Sequence, residues 1–177
     1  TIGYIVSELV RNVLEHAEAR DGAILCAQYY KKSNSIRIGI ADTGLGIKAT
    51  ITRSHSAGAD LDAIRLALMP GITGTTRREG GTEQNAGAGL FFIKSIASVN
   101  RDFFVIYSGT GFYKLLKKSA ARNLRLHADP FSDRHSSDGA MPAWPGTVAG
   151  VDITLNQTEE FSRLLDAIRE TYSSAVK

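Results

Sequence analysis

The chain of 177 residues contains one cysteine, Cys26. That excludes an internal disulfide framework and a multi-cysteine zinc site. Cys26 lies in an apolar stretch, where a free thiol is expected to be buried as a small hydrophobe. No apolar run approaches the ~20 residues a membrane-spanning helix needs. Glu8, Arg11 and Glu15 interrupt the first apolar stretch, so it does not read as a secretory leader. A cytoplasmic protein without membrane contact is the expectation. Charge of one sign is also scarce: 21 basic and 18 acidic side chains leave a net +3. That is too little by itself to imply nucleic-acid or membrane binding. The basic cluster Lys114, Lys117, Lys118, Arg122 and Arg125 reads as a solvated face, so a nucleic-acid partner is not expected. G-x-x-x-x-G-K-[ST], a complete G-x-G-x-x-G and G-x-S-x-G are missing, which argues against a Walker A loop, a dinucleotide fingerprint and a serine-hydrolase elbow.

What is present suits one soluble domain. Hydrophobic residues at 43% and charged residues at 22% are an ordinary globular balance, and a chain of this length buries a sizeable core without metal or disulfide staples. Residues 2–19 carry helical periodicity: Ile2, Ile5, Val6, Leu9, Val10, Val13, Leu14 and Ala17 fall on one broad arc at ~100° per residue. The chain starts without Met inside this pattern and reads as part of a longer protein. Residues 23–31 and the alternating Ile36, Ile38 and Ile40 predict a hairpin turned at residues 32–35. Leu61, Ile64, Leu66 and Leu68 suggest a short helix before Pro70-Gly71, and residues 90–99 a second, apolar one. Residues 102–107 and 111–116 read as another hairpin, 128–145 as a loop holding three prolines, and 148–155 as a last strand. Asn156 and Glu159 then form a capping-box pattern ahead of a stripe made by Phe161, Leu164, Leu165, Ile168 and Tyr172. That stripe suits packing on the body or on a partner. The expected fold is an α+β two-layer sandwich, with a mixed, mostly antiparallel sheet and helices on one face. Residues 1–155 form its body and residues 156–177 a C-terminal helix.

Three constellations carry chemistry. Glu8, Asn12 and His16 are spaced i, i+4, i+8, so a helix stacks them one turn apart at the edge of its apolar arc. A carboxamide oxygen there can ligate Mg²⁺, a hard cation that takes oxygen ligands. A carboxylate one turn away can accept a proton from an attacking water. A plain amphipathic helix and an edge histidine are the bland alternatives. Next, Asp42 ends a strand and is followed by Thr43-Gly44-Leu45-Gly46. An acid at a strand end can accept from an exocyclic amine, and the glycines let a flat base approach the backbone. A surface turn uses the same residues, whereas the spaced ligands of a calcium loop are absent. Finally, Gly87-Ala88-Gly89-Leu90 runs into an apolar helix, whose N-terminus suits a phosphate group. The preceding loop, with Thr73, Thr75, Thr76, Arg77 and Arg78, is a candidate lid.

In order, these motifs resemble the GHKL superfamily: gyrase-type topoisomerases, the ninety-kilodalton heat-shock chaperone, histidine kinases and mismatch-repair ATPases. Glu8-Leu9-Val10-Arg11-Asn12 looks like its N box, Asp42-Thr43-Gly44-Leu45-Gly46 like its first glycine box and Gly87-Ala88-Gly89-Leu90 like its second. Gly146-Thr147 resembles the pair that closes the adenine pocket. The resemblance implies that Asp42 binds the adenine amine with help from Thr147, and that Gly44 and Gly46 shape the base pocket. It further implies that Gly87, Gly89 and Leu90 form the phosphate loop, Asn12 ligates Mg²⁺ and Glu8 is the general base. The implied cofactors are ATP and Mg²⁺. The implied activity is ATP hydrolysis or γ-phosphoryl transfer to a protein partner in signalling; the alternative is an ATP-gated module without turnover. Glu15 stands where many histidine kinases have a basic residue, and Asn85 stands where the second box usually begins with glycine. With Asn12-x-x-Glu15-His16 the pattern is similar to anti-sigma serine kinases and some histidine kinases. His55, His127 and His135 read as surface loop residues, so no phosphoacceptor histidine is expected within the chain.

Overall fold

The computed structural model describes residues 2–72, 89–116 and 126–155. The candidate lid, Gly87, the basic cluster beyond Lys114 and the C-terminal segment that begins at Asn156 lie outside the described residues.

The first helix, α1, spans Ile2–Asn12 and continues into a wider π turn, Val13–Ala17. The chain leaves it at Glu18, in the left-handed conformation with φ 49°. This corrects the single regular helix read over residues 2–19. Ile5, Leu9 and Ala17 are buried, but Leu14 is 79% exposed. At 100° per residue, Leu14 lies about 140° around the helix from Leu9, at the far edge of an arc too broad to be covered whole.

Six strands follow with helices between them: β1 (Ala23–Tyr30), β2 (Ser35–Asp42), α2 (Gly46–Ile51), α3 (Asp60–Ala67), α4 (Gly89–Asn100), β3 (Phe104–Gly109), β4 (Gly111–Leu115), β5 (His135–Asp138) and β6 (Trp144–Thr154). They form one sheet in the order β1-β2-β6-β3-β4-β5. Every pairing among the described residues is antiparallel, so the sheet is not mixed. The last strand threads between the two hairpins, and the residue after it, Leu155, donates its N–H to Asn34 O in the β1–β2 turn.

Period-two burial puts one face inside. Ile38, Val151, Phe104 and Leu115 line up as one row across four strands, and Ile40, Ala149, Ile106 and Tyr113 form the next. All eight are buried, and with residues from α1 to α4 they make the single core cluster among the described residues. The result is an α+β two-layer sandwich. Helix α4 is apolar nearly all round, as expected of a helix buried on most sides. No described helix is long and apolar enough to cross a membrane.

Further readings need correction. Cys26 is exposed, because β1 is an edge strand and neither of its faces is covered among the described residues. The stretch read as a loop over residues 128–145 contains a 3₁₀ turn, Pro130–Ser132, and strand β5. Its His135 is part-buried in a cluster with the rings of Tyr113 and Phe131, at 5.2 and 4.9 Å between centroids. Strand β5 reads His-Ser-Ser-Asp, with no apolar alternation to betray it. The final strand also begins earlier than read, at Trp144.

Lys94 of α4 is buried inside the core layer. Its Nζ lies 2.7 Å from Asp133 Oδ2, with both side chains 1% exposed, and it donates to His127 O at 3.0 Å. The pair pins the segment before β5 onto α4. Breaking one side of such a pair leaves a buried charge without its counter-ion. Asp133→Ala is therefore expected to cost about 3–5 kcal/mol in urea unfolding, with Lys94→Met plus Asp133→Leu costing clearly less.

Candidate functional site

Asp42 closes β2 with its side chain on the helix-covered face. Its Oδ1 accepts from Gly44 N at 2.9 Å and from Thr147 N at 3.3 Å. Its carbonyl accepts from Trp144 Nε1 at 2.9 Å. No described residue donates to Asp42 Oδ2, so that oxygen remains available to an incoming donor. Gly146 passes so close that a Cβ there would lie 2.5 Å from Asp42 Oδ1 and nearer still to its carbonyl oxygen. The approach of β6 to Asp42 thus requires glycine.

Ser108, 1% exposed, joins this corner to the glycine loop. Its hydroxyl donates to Gly146 O at 2.7 Å and accepts from Ile47 N at 2.9 Å. Thr147 Oγ1 lies 3.4 Å from the same oxygen. Gly46, with φ +74°, starts α2 directly above Ser108 and adopts a conformation that disfavours other residues. Asp42, Gly44, Gly46 and Thr147 therefore converge on one corner. Sequence reading missed Ser108, which looked like part of a polar turn. Strand β3 runs on to Gly109, so Ser108 continues the alternation of Phe104 and Ile106 and faces inward.

A second junction ties this corner to α1. Leu45 N donates to Ala17 O at 2.7 Å, and a Cβ on Gly44 would sit 2.7 Å from the Ala17 carbonyl carbon. The glycine loop therefore lies directly on the end of the π turn. Nine residues earlier, Glu8 meets the start of α4: a Cβ on Gly89 would be 2.5 Å from Glu8 Oε2. One continuous helical element thus touches both glycine motifs, with the two contacts about 13 Å apart along its axis.

Glu8 is 13% exposed and pairs with Arg11 at 3.0 Å. Burial raises its pKa above the ordinary carboxylate value; Arg11 opposes that shift and Glu15 adds to it. The carboxylate lies at the positive end of α4, where anions are favoured. One turn along α1, the amide nitrogen of Asn12 is buried without a hydrogen-bond partner. A buried polar atom in that state is costly and points to a missing ligand or water. Burial lowers the pKa of His16, against an opposing effect of Glu15. Leu90 packs partly buried against the core. No group of three or more His, Cys, Asp or Glu among the described residues is placed to hold a metal. Mg²⁺ needs no such cage, since it commonly takes one or two side chains together with phosphates and waters.

No protein-family model matches the chain, and no curated protein matches it.

Ser108→Ala would leave the Ile47 N–H and the Gly146 carbonyl buried without their partner. Loss of about 1–3 kcal/mol is expected in thermal or urea unfolding. A change within about 0.5 kcal/mol, the range of ordinary surface substitutions, would show that the hydroxyl does not hold the corner together.

Proposed function

We propose that this chain is a Mg-ATP-binding catalytic domain of the histidine kinase-like, GHKL type. In this reading it acts in the cytoplasm, hydrolysing ATP or passing its γ-phosphoryl group to a protein partner in signalling. The observation that carries the reading is the helical element from Glu8 to Ala17, which touches both glycine motifs at once. A base pocket at one end and an anion-favouring helix start at the other are what an elongated nucleotide requires.

The residues fit the roles. Asp42 Oδ2 accepts from the adenine amine, while Oδ1 stays committed to Gly44 and Thr147. Gly44 and Gly46 let the loop pack against Ala17 and Ser108 and so set the shape of that corner. Gly89 and Leu90 offer the amides of the α4 start to phosphate, and Gly87 belongs to the same motif in sequence. Asn12 would hold Mg²⁺ through its amide oxygen, while its amide N–H, which lacks a protein partner, would be left to donate to a phosphate oxygen. Bound Mg²⁺ would supply charge neutralisation for the phosphates. Glu8, with its raised pKa, is the proton acceptor, since burial makes it a stronger base than a solvated carboxylate.

Two measurements test this. Asp42→Asn keeps the bulk but puts a donor where an acceptor is needed. Calorimetric titration is expected to show Mg-ATP binding weakened by about tenfold or more, the worth of one hydrogen bond to a charged group. Equal affinity in both proteins would remove Asp42 from the nucleotide site. Glu8→Gln should bind Mg-ATP but turn over about 10²–10⁴-fold more slowly. The base acts deprotonated, so wild-type turnover should rise with pH through a pKa above the ordinary ~4.3 of glutamate. Glu8→Gln should flatten that limb. Unchanged turnover in Glu8→Gln would favour an ATP-gated module over an enzyme that uses Glu8.

A further inference from the structure

The two edges of the sheet are built differently. At one end β5 is four residues long and reads His-Ser-Ser-Asp. Shortness and charge of that kind keep an edge from pairing with other chains. At the other end β1 is eight residues long and reads Ala-Ile-Leu-Cys-Ala-Gln-Tyr-Tyr, without a charged residue or a proline. Its register with β2 runs unbroken from Ala23 opposite Asp42 to Tyr30 opposite Ser35, so no bulge bends it away. Among the described residues β1 pairs with β2 alone, which leaves its outer row of N–H and C=O groups without a strand partner there. Both faces are open: Ile24 is 77% exposed on one, and Leu25 and Tyr29 are 45% and 54% exposed on the other. The usual protections of a long apolar edge are not built into this strand.

The charges that flank β1 are ordered for self-pairing. Asp21 stands two residues before the strand and Lys31 directly after it, both exposed. In a symmetric antiparallel pair the two-fold axis passes where one residue lies opposite its own copy. An axis at Cys26 sets Asp21 of each copy opposite Lys31 of the other, because both lie five positions from the centre. An axis at Leu25 or at Ala27 would instead set Asp21 opposite Tyr29 or Ser33. The Cys26 axis also brings Leu25 opposite Ala27 and Ala23 opposite Tyr29, so the apolar strips on the helix side join into one. Arg20 and Lys32 meet one position further out, beyond the strand and exposed, where salt screens like charges.

We propose that β1 is a homodimerisation edge: two copies pair antiparallel through β1 about a two-fold axis at Cys26, joining two six-stranded sheets into one. Main-chain hydrogen bonds supply the attraction, and the Asp21–Lys31 pairs set the register. The axis stands perpendicular to the sheet, so both helical layers stay on the same side. A contact one strand wide is smaller than the roughly 800 Å² per partner of a permanent interface, so the dimer is reversible. Pairing of this kind uses none of the residues assigned to the nucleotide.

Sedimentation velocity of the full chain in reductant, over a range of concentrations, tests the edge. The wild type should dimerise reversibly with a dissociation constant on the order of micromolar. Cys26→Lys sets two ammonium groups opposite each other at the axis and should weaken the dimer about tenfold or more. Cys26→Ser should leave it unchanged. Both substitutions alter an exposed side chain, so the core is left intact. Asp21→Lys should also weaken the dimer about tenfold, and Asp21→Lys combined with Lys31→Asp should restore it to within about threefold of the wild type. A wild type that stays monomeric up to hundreds of micromolar overturns the proposal. So does a dimer that Cys26→Lys leaves intact, which would place the interface elsewhere. Dissociation by Cys26→Lys without rescue by the charge swap overturns the register. Slow hydrogen–deuterium exchange of β1 amides in a monomer would show that the chain covers its own edge, and sinks the second copy as its partner.

Discussion

The site depends on the closeness of two backbones. Strand β6 passes Asp42 at Gly146 with no room for a Cβ. That approach lets Thr147 N reach the Asp42 carboxylate and lets Ser108 reach the Gly146 carbonyl. Ser108 in turn holds the first turn of α2 through Ile47 N. A larger residue at 146 would push β6 off β2 and undo these contacts together. Gly44 repeats the device where the loop meets Ala17. The glycines serve approach at least as much as flexibility.

Three of the places where polar groups are buried differ in state. The Asp42–Ser108 corner is satisfied apart from one carboxylate oxygen and stiffens the strand ends. The Lys94–Asp133 pair is satisfied by charge and fastens the β5 segment to α4. Around α1 the balance is incomplete: burial raises the pKa of Glu8, and the Asn12 amide nitrogen lacks a partner. Few buried polar atoms are left in that condition in a native fold; Ser95 Oγ and Ser98 Oγ of α4 share it with Asn12. The incomplete region lies between the two glycine motifs, which is why the proposed phosphate and metal roles fall there.

Legibility followed periodicity and local chemistry. The β1–β2 hairpin could be read because Ile36, Ile38 and Ile40 alternate, and α4 because its apolar run follows a glycine. Strand β5 could not, since four polar residues on an edge carry no signal. Helix α2, six residues long and starting at the last glycine of the loop, is too short for periodicity to register. Cys26 looked like core because its neighbours are apolar, but an edge strand can be apolar and exposed when nothing lies over it. Leu14 failed in a similar way, since an arc half the helix wide exceeds what one neighbour covers.

The order of the motifs, the residue types in each and the alternation that forms two hairpins were settled by sequence alone. These are local properties: a glycine is needed wherever a backbone must come close, and period two or 3.6 marks which side faces inward. Tertiary structure decided which motifs meet. Only the insertion of β6 between β2 and β3 sets Thr147 beside Asp42 and turns Ser108 into the link between them. Only the packing of α1 across α4 sets Glu8 against Gly89. Such contacts join residues 39 to 105 positions apart. Their pairing depends on strand order and helix placement, which no local pattern encodes.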